Sequence, residues 1–270
     1  VSVLADMIVK GVKGFDYERA YEAMKTTAMN PNYDCLPEYR MMGYVPFDKE
    51  AESVSKTLEY AYDDYVLSQV AGKMGKKKDH EALVKRAGNY KNVIDSVTGF
   101  ARGRYANGKW VESFDPYGSA SFICEGTPFH YTWYVPQDVE GLRTILGKER
   151  FSHRLNEFFD NGHYWHGNEP GHHIPYLFAM SGEAWKTQEW IHKIINREYF
   201  IPPDGLSGND DAGQMSSWLV FSMIGFYPVC PGSSQYILGS PSFDRTTIAL
   251  ENGNMFCVEA LGLTDEAVYI

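Results

Sequence analysis

Residues 53–74 read SVSKTLEYAYDDYVLSQVAGKM. Val54, Leu58, Ala61, Tyr62, Tyr65, Val66, Val70 and Met74 recur three or four residues apart, the spacing that lines apolar side chains along one face of an α-helix. Ser53-Val54-Ser55-Lys56 offers hydroxyls suited to capping its first turn. This is the strongest periodic signal in the chain, and it makes the fold class mainly α.

Upstream, Phe15–Met29 repeats the pattern with Tyr17, Ala20, Tyr21, Met24 and Ala28, and Asp16 and Glu18 lie near its start. Asn30–Asp48 carries Pro31, Pro37, Gly43 and Pro46 and reads as a long loop. Downstream, the basic run Lys73–Lys78 reads as a solvated turn, followed by an amphipathic helix over His80–Ile94. Asp95–Pro128 has no long period. Helices resume at Asp138–Leu146, Arg150–Phe159, His173–Ser181, Trp185–Tyr199 and Ala212–Ile224, with a polar, Gly-rich loop at Ile201–Asp211. After Pro228 come short strand candidates at Tyr236–Leu238, Thr246–Leu250 and Met255–Glu259, with Asn252-Gly253 marking a hairpin turn. About nine helices in successive pairs, joined by alternating short and long loops, predict a toroid of helical hairpins with function on the long loops. The expected division is a helical region over 1–228 and a short C-terminal β segment over 229–270, with partner strands beyond Ile270.

The 270 residues hold 25 Lys+Arg against 35 Asp+Glu, a formal charge of −10. That balance argues against nucleic acid or an anionic membrane as partner, since both need basic patches. No run approaches the roughly 18 apolar residues of a membrane span. Cys35, Cys124, Cys230 and Cys257 are too scattered for a metal knuckle and too few for a disulfide scaffold. The chain begins at Val1 with no charged-then-apolar leader and reads as an excerpt or a processed product. Its 6 Trp, 19 Tyr and 15 Phe exceed what apolar runs absorb, and the remainder suits stacking on sugar rings.

Three loops carry candidate chemistry. In the first, residues 124–138, Glu125 precedes Phe129, His130, Tyr131, Trp133 and Tyr134. An aromatic shell raises a carboxyl pKa and keeps it protonated, as a general acid requires. A surface Glu before a turn gives the same pattern. In the second, Gly167-Asn168-Glu169-Pro170-Gly171-His172-His173, Asn168 and Glu169 offer hard oxygen ligands of the calcium type. A zinc site using His166 needs an unbroken helix, which Pro170 and Gly171 interrupt. In the third, residues 205–218, Asp210 and Asp211 stand at a loop-to-helix junction between Asn209 and Gln214. One acid suffices to cap the helix, and a second beside amide side chains suits a water-activating base. Together the loops supply the two carboxylates of a glycosidase.

At these loops the sequence resembles glycoside hydrolase family 92, the calcium-dependent inverting α-mannosidases. The resemblance rests on residues 53–64, residues 125–138, Gly167-Asn168-Glu169-Pro170, and Gly205–Pro228 with its Asn209-Asp210-Asp211-Ala212-Gly213-Gln214-Met215-Ser216 run. It implies the later part of an (α/α)6 catalytic domain, with an N-terminal β-sandwich domain as its partner in the longer protein. It makes Glu125 the general acid and Asp211 the general base, aided by Asp210 or Asn209. His130, Trp133, Asn209 and Gln214 become substrate-binding candidates, and Asn168 and Glu169 belong to the calcium neighbourhood. Calcium in this family contacts the mannose 2- and 3-hydroxyls and favours a distorted ring.

Inversion implies carboxyls of Glu125 and Asp211 about 6.5–9.5 Å apart. Mannose-containing glycans become the expected partner, and secretion or a periplasmic location follows from the resemblance alone. Two departures bear on specificity. Thr127 replaces the family's usual Asn, and Phe129 its usual Trp. The His-Glu pair of α-1,2-selective members is also absent, because Phe158–Gly162 runs directly to His163-Tyr164-Trp165. α-1,2 linkages are therefore not the expected preference, and a carboxylic acid at Glu125 suits ordinary glycosides over sugar phosphodiesters. A metal-free inverting glycosidase and a catalytically silent carbohydrate-binding fragment remain the competing readings.

Overall fold

The computed structural model describes residues 1–264 and 267–270. Its helices are α1 (Ser2–Lys10), α2 (Tyr17–Ala28), α3 (Leu36–Met42), α4 (Ser53–Lys73), α5 (Lys77–Ala87), α6 (Pro128–Thr132), α7 (Val139–Leu146), α8 (Lys148–Asp160), α9 (Leu177–Met180), α10 (Ala184–Glu198) and α11 (Gln214–Ile224). Strands are short: β1 (Ile94–Asp95) pairs with β2 (Phe100–Ala101), and β3 (Phe226–Tyr227) with β4 (Ile237–Leu238), both antiparallel. The third pair is β5 (Arg245–Ala249) and β6 (Met255–Glu259), in register from Arg245↔Glu259 to Ala249↔Met255. Asn252 and Gly253 lie in the intervening turn, as their sequence predicts. The chain forms two compact units, Val1–Phe151 with Cys230–Ser234, and Ser152–Val229 with Gln235–Ile270.

In the first unit α4 is the centre. Val66, Leu67, Val70 and Ala71 pack with Ile8 of α1, Tyr21 and Met24 of α2, Leu83 of α5 and Cys230. The other side of α4 carries Asp64, buried and gripped by Arg86 through Nε (2.9 Å) and Nη2 (2.7 Å), while the Tyr39 hydroxyl donates to it at 2.9 Å. Burial pushes this carboxyl up against the opposing pull of Arg86. In the second unit Tyr176, Ile191, Ile194, Trp218, Tyr227 and Val229 form the core between α10, α11 and β3.

Four expectations change. The long loop at Asn30–Asp48 contains α3. Pro37 occupies its first turn, where the missing N–H costs nothing, and Gly43 (φ +83°) ends it with its N–H on the Tyr39 carbonyl. The signals read as loop are the punctuation of a helix anchored by buried Leu36 and Tyr39. The helix expected over His80–Ile94 starts at Lys77 and yields to a 3₁₀ turn over Gly88–Asn92. The helix expected over His173–Ser181 is a 3₁₀ turn, Ile174–Tyr176, leading into the four residues of α9. Finally, Ser53 and Ser55 do not cap α4. Its N-cap is Glu52, in left-handed backbone at φ +56°, with no side-chain cap.

Removing one partner of a buried ion pair strands the other charge. Arg86→Met should therefore destabilise the fold by about 3–5 kcal/mol in urea denaturation. Adding Asp64→Asn should recover part of that loss, and an unchanged midpoint in the single variant would refute the pairing.

Candidate active site

Helix α4 begins with amide groups that no helical carbonyl can reach. Residues of the Glu125 loop meet them: Glu52 N–H donates to Ser121 O (2.9 Å) and Val54 N–H to Phe122 O (3.0 Å). In return Ser55 Oγ accepts from Cys124 N–H at 2.9 Å. On the far side, Gly126 turns through φ +87° and Thr127 caps α6. There Thr127 Oγ1 accepts from His130 N–H, and Thr127 N–H donates to His130 Nδ1 at 3.2 Å. Glu125 therefore projects from a loop tied down on both sides, and it is exposed.

Glu125 is exposed, so the aromatic residues that follow it do not enclose it. Phe129, Tyr131 and Trp133 turn into the core, and Trp133, proposed from sequence to bind substrate, packs edge-on against Phe151 with centroids 5.2 Å apart. Helix α6 and its C-cap Trp133 send these rings inward. His130, the other candidate on this loop, uses Nδ1 in the cap.

Helix α4 carries two more carboxyls, Glu59 and Asp63, one turn apart. Glu59 is pushed up to about 7, first by the protein packed around it and then by the negative charges of Asp63, Glu125 and Glu52. Its side chain still reaches water, so it is a crowded carboxyl with an open face. Asp63, one turn along α4, is also raised by burial. Like charges four residues apart disfavour an isolated helix, and that conflict was the sequence signal for this pair.

In the second unit two loops are joined backbone to backbone. A Cβ on Gly208 would lie 2.2 Å from Gly167 O, and one on Gly167 would lie 2.7 Å from Trp165 Nε1 and 2.8 Å from Ser207 O. Only glycine permits this approach. It holds Asn168 and Glu169 beside the Asn209–Asp211 run. Asn168 is extended and Glu169-Pro170-Gly171 forms a 3₁₀ turn, and both candidate ligands are half-buried.

The two adjacent acids differ. Asp210 caps α11, with Oδ1 accepting from Ser216 N–H (2.9 Å) and Oδ2 from Ser216 Oγ (3.0 Å). Asp211 is exposed and sits at φ +39°, followed by Ala212 at φ +58° and Gly213 at φ +91°. Left-handed backbone at two non-glycine residues in succession is strained, and such strain concentrates at functional sites. Asn209 is exposed and Gln214 half-buried.

Beneath these loops lie two buried histidines. His166 Nε2 is 2.7 Å from Tyr199 Oη, whose own proton goes to Met215 O at 3.0 Å. Nε2 must therefore carry the hydrogen, and Nδ1 accepts from the Tyr164 hydroxyl at 2.7 Å. Burial, then His172, pulls the His166 pKa down to about 3, so the ring is neutral. His172 is likewise lowered by burial. Its Nε2–H donates to His166 O (3.0 Å), and Trp218 Nε1–H donates to His172 O (2.9 Å).

A zinc site on His166, Glu169 and His172 does not fit this arrangement. Both histidines are engaged within the protein, and no cluster of three or more His, Cys, Asp or Glu able to hold a metal occurs among the described residues. The oxygen donors of Asn168 and Glu169 match a hard cation such as calcium, which takes carboxylate, amide, backbone carbonyl and water oxygens.

The chain belongs to the glycosyl hydrolase family 92 catalytic domain, which matches residues 1–270. It is similar to a family 92 α-mannosidase from Bacteroides thetaiotaomicron, 56% identical with a TM-score of 0.94 over 97% of this chain and 36% of that one. The mannoimidazole complex of that enzyme matches at 53% identity and a TM-score of 0.93, over 97% and 38% of the two chains. An inverting mannosidase of the same family and organism is 34% identical, with a TM-score of 0.89 over 97% and 40%. An uncharacterized secreted glycosidase of Arthroderma benhamiae is 29% identical over 91% of this chain and 37% of its own length. The chain thus spans well under half the length of each relative.

Two outcomes follow from this geometry. In a carboxyl NMR titration, Asp63→Asn should lower the Glu59 pKa more than Glu125→Gln does, and burial should keep it above the ordinary carboxylate range in both. Equal, negligible shifts would separate these acids. Gly208→Ala should destabilise the protein by about 1–3 kcal/mol, read as a lowered Tm, because its Cβ has no room against Gly167.

Proposed function

We propose that this chain forms part of the catalytic domain of an exported, inverting exo-α-mannosidase acting on mannose-containing glycans, built on an (α/α)6 toroid that pairs with an N-terminal β-sandwich domain. The division of labour between Asp210 and Asp211 carries the reading. With Asp210 capping α11, Asp211 is the acid available to take a proton from water. Glu125, exposed on its braced loop, is the acid that protonates the leaving oxygen. Asp210 holds the base loop in shape, and Asn209 and Gln214 contribute to sugar binding.

Asn168 and Glu169 would hold calcium, which when bound supplies contacts to the mannose 2- and 3-hydroxyls and favours a distorted ring. A relative whose mannoimidazole complex is known and another described as inverting support the substrate class and stereochemistry. The relative described as a secreted glycosidase supports export. No helix among the described residues is long and apolar enough to cross a membrane.

The test uses the full-length protein and a panel of linkage-defined mannobioses. Proton NMR of the first turnovers should show β-mannose, and α-1,2-mannobiose should not be the preferred substrate. Glu125→Gln and Asp211→Asn should each lower kcat by about 10²–10⁴-fold without lowering Tm. Asp210→Asn should instead lower Tm, through loss of a charged cap of about 1 kcal/mol. Calorimetric titration should show calcium binding that Glu169→Gln weakens. Full activity in both acid variants would overturn the catalytic assignments.

A further inference from the structure

The amide of Gln214 could present either end, and His172 decides between them. His172 Nε2 lies 3.0 Å from the His166 carbonyl oxygen. A carbonyl only accepts, so Nε2 carries the hydrogen and Nδ1 of the neutral ring is an acceptor. Nδ1 lies 3.3 Å from Gln214 Nε2 and requires a donor there. The second partner of Gln214 Nε2, the Tyr227 hydroxyl at 3.3 Å, cannot set the orientation, because a hydroxyl can donate or accept. With Nε2 held by both, Oε1 is the end left to solvent, since no described protein group donates to it and it is not among the buried atoms.

The amide leads α11, with Gln214 N–H on the Asp210 carbonyl at 2.7 Å, one turn of backbone from Asp211. We propose that His172 is a positioning residue that fixes Gln214 as a hydrogen-bond acceptor for a sugar hydroxyl, transmitting the polarity of a backbone carbonyl through one imidazole to the substrate. This rests on the mannosidase reading for the identity of the ligand, but not for the orientation of the amide. The polarity has a consequence for recognition. A ligand group facing Oε1 must be a donor, so replacing the contacted hydroxyl by fluorine, which only accepts, removes the interaction.

The orientation is read directly by ¹⁵N NMR of the imidazoles of the intact protein. His172 should be the Nε2–H tautomer, with an unprotonated Nδ1 coupled to the Gln214 amide. A protonated Nδ1 would overturn the proposal whether or not the protein hydrolyses mannosides. Kinetics on an aryl α-mannoside then separate positioning from scaffolding.

His172→Phe keeps an aromatic ring but frees the amide to turn, and should lower kcat/KM about 10-fold, the scale of one lost hydrogen bond. In a Gln214→Glu background both ends of the side chain are oxygens, so the same His172→Phe change should lower kcat/KM by less than about threefold, the low end of that scale. An equal loss in the two backgrounds would make His172 merely structural and refute the proposal. Absence of any mannosidase activity in the wild-type protein, with the Nε2–H tautomer present, would instead strike the substrate reading.

Discussion

The neutral imidazole of His166, held between two tyrosine hydroxyls, is the interaction on which the second unit's site depends. A ring with hydrogen bonds on both nitrogens is fixed in rotation and in tautomer. Buried among Tyr164, His172, Tyr199 and Trp218, it has no low-energy way to become charged, and its pKa falls to about 3. Its backbone carbonyl sets the tautomer of His172, and Trp218 of α11 holds the His172 carbonyl. Next to it Gly167 meets Gly208 in close backbone contact. The loop of Asn168 and Glu169 and the loop of Asp210 and Asp211 are therefore parts of one hydrogen-bonded body, not independent excursions. That rigidity allows Asp211 to stay in a backbone conformation that a free loop would leave.

The first unit reaches rigidity by a different route. The unsatisfied amides at the start of α4 draw in the carbonyls of Ser121 and Phe122, and Ser55 answers with its hydroxyl on Cys124. Each element caps the other's loose polar groups. The same helix projects Glu59 from its next turn, so the loop of Glu125 and an acid that feels its charge share one scaffold. Burial and then the negative charges of Asp63, Glu125 and Glu52 raise the energy of ionising Glu59. Asp64, on another face of the helix, has Arg86 to compensate it and belongs to the fold.

Much of this was legible in the residues, for reasons that differ by element. The helices α2, α4, α7, α8, α10 and α11 carry uninterrupted apolar periods, and a period is a local property. The β5–β6 hairpin was announced by two short strand candidates and by Asn252-Gly253 between them. Helix α3 was hidden because Pro37 and Gly43 serve equally to start and stop a helix or to build a loop, and only burial of Leu36 and Tyr39 against Val45 distinguishes the two. The serines before α4 invited a capping role by position, whereas Ser55 bonds a residue 69 positions away. The aromatics after Glu125 look like a shell in a linear reading, but a one-turn helix rotates most of them into the core.

The residues by themselves determined the helical class, the family and the identity of the acids on the three loops, because composition, period and motif are written in single positions and short spacings. Tertiary structure alone decided which of two adjacent aspartates caps a helix and which stays open. It alone also decided which nitrogen of each buried histidine carries its proton and which carboxyl loses most by ionising. Those properties come from distances between atoms far apart in the chain and from exclusion of water around them, and hydrogen-bond direction and desolvation exist only once the chain has folded.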